Sequence, residues 1–452
     1  MATTTIVTIP APVASIELEN RPLTAGSKVP SINTRSHTLS TGDEESSPLD
    51  DQPPEGATVF ERPSVSTVKG KLLCTNFTVF VSGMNDSSTG ALIPYLQPAY
   101  DVGLLFVALV YLINFSGWLV AAFTNVHLTA RLGMGGVLAL GAAFQLSAYC
   151  LMFWKPPYPL FVFSFFLSGL GVAYQDAQAN VLVANVNNSH RWLGILHALY
   201  GAGALFGPLI ATTIAARTVH WHYFYLVTLG FGIINLGLLV WTFRVGLFKG
   251  TAAAKESATR DLKKALSERT VIILSLFFFL YVGAEVTAGG WVVEFLIRVR
   301  NGEPSKVGYV ASGFWAGLTV GRLVLADITH RLDERRMVFV YIILALIAQL
   351  IFWFVPNIIA NAVMISLLGF FIGPFFPTGI SVATKVLPRE LHVASIGFAA
   401  TMGQAGSAAF PFLTGAIAAK SGVKVLQPML VGLLAGMTIF WALIPRVARH
   451  SS

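Results

Sequence analysis

The chain of 452 residues is short of charge. Asp, Glu, Lys and Arg make up 12% of it, against 54% hydrophobic residues, where a soluble domain carries roughly 25% charged residues. With a mean hydropathy of +0.67, that shortage excludes a soluble globular protein. Cysteine is nearly missing: Cys74 and Cys150 both fall in apolar stretches. They read as small packing residues and leave the redox compartment unreadable. There is no nucleophile–base motif, no H-E-x-x-H, no Cys-x-x-Cys and no phosphate-cradling G-x-x-x-x-G-K-[ST]. Neither an enzyme, a metal site, a cofactor nor nucleotide-driven pumping is therefore expected. The net charge of +8 comes without a basic stripe carrying stacking aromatics, so nucleic acid is not an expected partner.

What the chain does have is a series of apolar runs of about 20 residues, each long enough to cross roughly 30 Å of hydrocarbon. They begin near Leu72, Leu104, Met134, Leu160, Trp192 and Tyr223, then near Val271, Lys306, Met337, Ile358, Leu391 and Gln427. The count is twelve, or eleven if the third or ninth is misplaced. Ahead of them, "STGDEESSPLDDQPPEGA" is too polar and Pro-rich to bury a core and reads as part of a disordered tail. The opening "MATTTIVTIPAPVAS" lacks a basic region and a long apolar stretch, so the first span is expected to act as the insertion signal.

Orientation follows from basic residues. The break Arg244–Arg269 holds seven of them, and the loops with Arg131, Arg191, Arg331, Arg335, Arg336, Lys385 and Arg389 fall on the same side. Positive charge favours the cytoplasmic side, so both termini are expected there. The expected organisation is a cytoplasmic tail (1–70), a six-helix bundle (71–243), a cytoplasmic linker (244–269), a second six-helix bundle (270–446) and a short tail (447–452).

The two halves echo one another. "GMNDSSTGALIPYL" from Gly83 aligns with "GAEVTAGGWVVEFL" from Gly283, matching Gly83 to Gly283, Gly90 to Gly290 and Leu96 to Leu296. "GALFGPLIATTIAAR" from Gly203 aligns with "GSAAFPFLTGAIAAK" from Gly406, with Pro208 over Pro411. Both echoes lie in the first and fifth spans of a half. Parallel copies of this kind mark secondary transporters whose substrate site lies between the halves.

Several spans carry polar groups that hydrocarbon disfavours. A charge at the bilayer centre costs about 2.5–3.5 kcal/mol on insertion scales and needs a reason. Asp86 stands beside Asn85 in the first span. Asp176 stands in the fourth with Gln175, Gln178 and Asn180, and shares a helix face with Asn180. Glu285 is the repeat counterpart of Asn85, and His197 and Tyr200 lie one turn apart in the fifth span. Asn114, Gln145, Trp291, Trp315 and Gln404 are further candidates to line a cavity. Amides donate and accept at once, which suits a polyhydroxylated solute. The alternative is that these groups only pair across helices to hold the bundle together.

Over residues 70–446 the chain resembles the major facilitator superfamily. "GMNDSSTGALIPYL", "GLGVAYQDAQANVLV" (Gly169–Val183), "YVGAEVTAGGWVVEFL" (Tyr281–Leu296) and "GFFIGPFFPTGISVATKVLP" (Gly369–Pro388) resemble its fucose–proton symporter branch and fungal relatives. The resemblance implies an all-α integral membrane fold of about twelve helices in two pseudo-symmetric six-helix bundles. It also implies proton coupling at Asp86 and Asp176, the latter standing where the branch commonly has Glu. The remaining polar residues, Glu285 among them, become substrate-binding candidates. The signature loop is eroded in the first half, which keeps Gly117 and Arg131 without the usual Asp. It is fuller in "GLTVGRLVLADITHRLDERR". Arg131, Arg322, Asp327, Arg335 and Arg336 are thus expected to make cytoplasmic gate contacts.

The expected function is proton-coupled uptake of a sugar or similar small polar solute, by a monomer in the plasma membrane, with the vacuolar membrane as the other location. Two rivals stay open. An exporter is suggested by "GAGALFGPLIAT" (Gly201–Thr212), which resembles the Gly-Pro motif of antiporters. A nutrient receptor without flux would usually carry longer extensions than "RVARHSS".

Overall fold

Apolar runs bounded by Pro, Gly and Asn fold into helices close to the expected places. The computed structural model describes residues 65–186, 189–244 and 263–445, with no strand among them. The expected tail, the linker and the final residues lie wholly or mostly outside these ranges. The first half comprises α1 (Val65–Tyr100), α2 (Leu104–Met152), α3 (Tyr158–Ala184), α4 (Ser189–Arg217) and α5 (Phe224–Phe243). The second comprises α6 (Arg269–Arg300), α7 (Pro304–Arg331), α8 (Glu334–Phe354), α9 (Ile358–Ile372), α10 (Phe375–Val386), α11 (His392–Ser421) and α12 (Leu426–Leu443). α1 begins at Val65, inside the segment expected to be tail.

Twelve crossings result. α2 supplies two of them, separated by Gly133, whose φ of 69° is not helical and suits a residue without Cβ. α9 and α10 make one crossing, broken at Gly373–Pro374 because proline cannot donate its missing N–H. Nine segments are apolar and long enough to span a membrane by composition alone, among the described residues. α1, α7 and α11 have the length but are diluted by small and polar residues. Large apolar side chains such as Phe106, Trp241, Ile359 and Phe354 lie exposed on the outer surface, as hydrocarbon contact requires.

The glycines matched between the halves explain how the helices meet. A Cβ on Gly203 of α4 would overlap the Phe80 carbonyl of α1, and one on Gly83 would overlap the Tyr200 carbonyl. The second half repeats the crossing: Gly406 of α11 lies against the Phe279 carbonyl of α6, and Gly283 lies against Phe410. Without water to drive apolar association, close backbone approach through small residues is the main source of helix cohesion.

Gly90 and Gly290 meet across the seam between the halves. A Cβ on Gly90 would stand 2.6 Å from the Gly289 carbonyl and 2.7 Å from Gly290 Cα. Gly415 likewise abuts Ala108, and Gly308 abuts Thr212. Thr213 and Tyr309 hydroxyls are 3.1 Å apart, and Arg298 Nη2 donates to Gln97 Oε1 at 2.7 Å. All these contacts lie toward the face opposite the chain ends, called here the distal face. The seam is therefore closed there, and the largest apolar cluster crosses it to include Leu104, Ala108 and Ala204.

Valine at position 90 has nowhere to go but into the α6 backbone. Gly90→Val is expected to hold the distal seam apart: a cysteine placed at Thr212 should react with a membrane-impermeant maleimide several-fold faster than in the parent. Equal reactivity would show that the glycine contact does not set closure.

Candidate functional site

The polar run of α1 is resolved by two kinds of hydrogen bond. Its hydroxyls bond back to their own helix, as Ser82 Oγ does to Thr78 O at 3.2 Å and Ser88 Oγ to Asn85 O at 2.7 Å. Asn85 and Asp86 bond outward. Asn85 Nδ2 donates to Ser168 Oγ of α3 and to Asp86 Oδ1, each at 3.1 Å. Tyr200 Oη of α4 donates to Asp86 Oδ2 at 3.1 Å. Both carboxyl oxygens thus have donors, and Tyr149 lies within Coulombic reach. Asp176 of α3 is also within Coulombic reach of Asp86. It accepts from Asn180 Nδ2 at 3.1 Å one turn along, the face-sharing expected from the spacing.

The second half contributes an ion pair to the same region. Arg322 Nη2 of α7 lies 3.1 Å from each Glu285 oxygen of α6 and 3.3 Å from Tyr281 Oη. Side-chain exposure is 9% for Arg322 and 6% for Glu285. A buried pair of this kind is held by mutual compensation, since removing one partner typically costs 3–5 kcal/mol. Tyr200 of α4 thus lies near both Asp86 and the Glu285–Arg322 pair, and His197 lies near Arg322. The His197 ring lies 5.3 Å from that of Phe376 of α10, a contact across the seam. Asp86, His197 and Tyr200 from the first half and Glu285 and Arg322 from the second therefore converge, with Asn85, Asp176 and Asn180 gathered about Asp86 within the first half.

Arg322 corrects an expectation. It is not with the rim residues but one face deeper, nine positions inside the end of α7, because Glu285 offers it a counter-charge in the membrane interior. Arg335 and Arg336 make their contacts inside their own half. Arg335 donates to Ile444 O and, at 2.7 Å, to Ala442 O, closing the end of α12. Arg336 pairs with Asp333 at 3.6 Å, and Arg131 is exposed. The side chain of Asp327 lies outside the described residues.

Several cavity candidates turn out to be internal braces. Gln175 Nε2 donates to Gln145 Oε1 at 2.7 Å and accepts from Asn235 Nδ2 at 2.9 Å, while Thr78 Oγ1 donates to Asn235 Oδ1 at 2.7 Å. That fully buried chain ties α1, α2, α3 and α5 within one half. Gln178 Nε2 donates to Asn125 Oδ1 at 2.9 Å and to Thr129 Oγ1 at 2.8 Å, and Asn114 Nδ2 donates to Phe165 O at 3.3 Å, both linking α2 to α3. Trp291 Nε1 donates to Pro411 O at 3.0 Å, fixing α6 to α11. Trp315 is not one of these braces: it is buried against Gly289 with its Nε1 unpartnered among the described residues, while Gln404 accepts from Ser407 on its own helix at 3.3 Å. Ser168, Tyr149 and Tyr281 are site neighbours that the sequence does not mark, because single Ser and Tyr residues are common in apolar spans.

Two parallel bundles, a closed seam and carboxyl groups gathered between them define a secondary-transporter architecture. The Major Facilitator Superfamily profile matches residues 75–411 and 287–451, and the chain belongs to that family. It is 30% identical over 419 residues to Bypass of stop codon protein 6 of Saccharomyces cerevisiae, covering 85% of this chain and 84% of that protein. It is 22% identical to the glucose/mannose transporter GlcP of Bacillus subtilis, over 74% and 85% of the two chains. Among solved structures it is similar to the Escherichia coli fucose:proton symporter FucP, with a TM-score of 0.61 at 16% identity, over 84% of this chain and 99% of that one. Another FucP structure, in the outward conformation, gives the same TM-score at 17% identity. The chain is a multi-pass membrane transporter and not an enzyme.

Brace and site are separable by mutation. Gln175→Leu, which orphans Gln145 and Asn235, should lower unfolding stability by about 1–3 kcal/mol while solute affinity of the folded protein stays the same. Tyr200→Phe should do the reverse, weakening transport roughly tenfold with little change in melting temperature. A shared loss of stability in both variants would merge the two roles.

Proposed function

We propose that this transporter takes up a sugar or similar small polar solute together with protons, working as a monomer by alternating access. Both termini lie in the cytoplasm in this reading, so the closed distal face is the outer one, and the plasma membrane is the site of action. The observation that carries it is the Asp86 carboxyl, held by Asn85 and Tyr200 at the seam with Asp176 within Coulombic reach. Two carboxyl groups close together in a low-dielectric site repel when both are ionised, and each is cheaper to carry through the membrane as the neutral acid. A proton taken up on one side and released on the other therefore favours the movement of the halves about the site. The donors around Asp86 are also suited to hydroxyl groups, since Tyr and Asn offer both donor and acceptor atoms. That FucP is a fucose:proton symporter and GlcP a glucose/mannose transporter agrees with this choice of solute.

The exporter reading loses its support from α4. Its glycines are taken up by packing: Gly203 meets Phe80, Gly207 meets Met84 and Ser87, and Gly201 meets Thr319. Close helix approach accounts for the motif.

Proteoliposomes test the proposal. With one proton per solute, a pH step of about one unit is worth about 1.4 kcal/mol and supports about tenfold accumulation. Asp176→Asn is expected to keep solute exchange across the membrane but to reduce accumulation to equal concentrations inside and out. Full accumulation in that variant would remove Asp176 from coupling, and binding without flux in the parent protein would favour the receptor.

A further inference from the structure

The Glu285–Arg322 pair has no part in the proton pathway proposed above, yet it stands at the seam where the solute would pass. Arg322 uses one nitrogen, Nη2, for Glu285 and Tyr281. Its Nε is buried with no hydrogen-bond partner among the described residues. Trp315, two turns earlier on the same face of α7, has its Nε1 in the same condition. Thr319 lies between them and abuts Gly201 of α4, so this face looks across to the first half. Buried donors without acceptors are costly, and two on one helix face at a seam point to an acceptor that comes and goes.

We propose, resting on the sugar reading above, that the Glu285–Arg322 pair is a charge filter for the solute. Glu285 neutralises the guanidinium, so the site accepts uncharged polyhydroxylated solutes and rejects their carboxylated counterparts. A sugar hydroxyl can accept from Arg322 Nε without displacing Glu285. A sugar acid's carboxylate meets a guanidinium already engaged by one carboxylate. Removing the Glu285 charge would leave Arg322 free to take a carboxylate through two parallel N–H bonds, the arrangement guanidinium favours.

The test uses the full-length protein in detergent and three matched probes: glucose, glucuronate and glucosamine, with binding followed by calorimetry. The parent chain should bind glucose in preference to glucuronate. In Glu285→Gln the ratio of glucuronate to glucose affinity should rise by on the order of tenfold to a hundredfold, the worth of a charge-assisted hydrogen bond. Arg322→Gln leaves the opposite charge and should shift preference toward glucosamine, which keeps the idea open to refutation if Glu285→Gln does not fold. The paired substitution, again neutral, should show neither shift. Glucose binding with ratios unmoved in the single variants would overturn the filter alone. A parent chain that binds none of the three would overturn the sugar reading and the filter with it.

Discussion

A tyrosine hydroxyl donating to a carboxyl group inside the membrane stands where the two halves of this transporter meet. Tyr200 donates to Asp86 in its own half and lies within electrostatic reach of Glu285 and Arg322 in the other. Acidic groups in hydrocarbon are tolerated only where something compensates them. Here the compensation differs on the two sides. Asp86 and Asp176 are met by neutral donors. Glu285 is met by a guanidinium.

Small residues make that convergence possible. The crossings at Gly83 and Gly203, and at Gly283 and Gly406, bring the first and fifth crossings of each half to backbone contact. Asp86 and Tyr200 follow within a turn of those contacts, so the same close approach that binds the helices also sets the hydrogen bond. Gly90 against Gly290 then closes the distal seam above the site. Reopening it separates the glycine backbones together with the apolar side chains and the Thr213–Tyr309 and Arg298–Gln97 contacts that cross the seam.

Much of this was legible in the sequence because it is written in composition and repetition. Apolar length marks most of the spans, the glycines aligned between the halves sit at corresponding helix crossings, and one aligned pair, Gly90 and Gly290, meets at the seam. The isolated polar residues also point to the region, since hydrocarbon leaves them little choice but the interior. Which interior is another matter. Gln175 and Asp176 are neighbours in sequence, yet one joins the chain of amides that braces the bundle and the other turns toward Asp86. Helical rotation separates them, and no local pattern reports it. Arg322 was legible as a charge near a loop, but its partner lies on another helix, far away along the chain. Tyr281 and Ser168 gain meaning only from what stands opposite them.

Proton movement measured alongside solute movement is the most direct check on the central claim. Proteoliposomes carrying a pH indicator in weak buffer, with no imposed gradient of any ion, would receive solute on one side while internal pH is recorded. Acidification of the lumen in step with solute entry, in fixed ratio across solute concentrations, is the expected result. Solute entry with an unchanged internal pH would contradict it, whatever the fold.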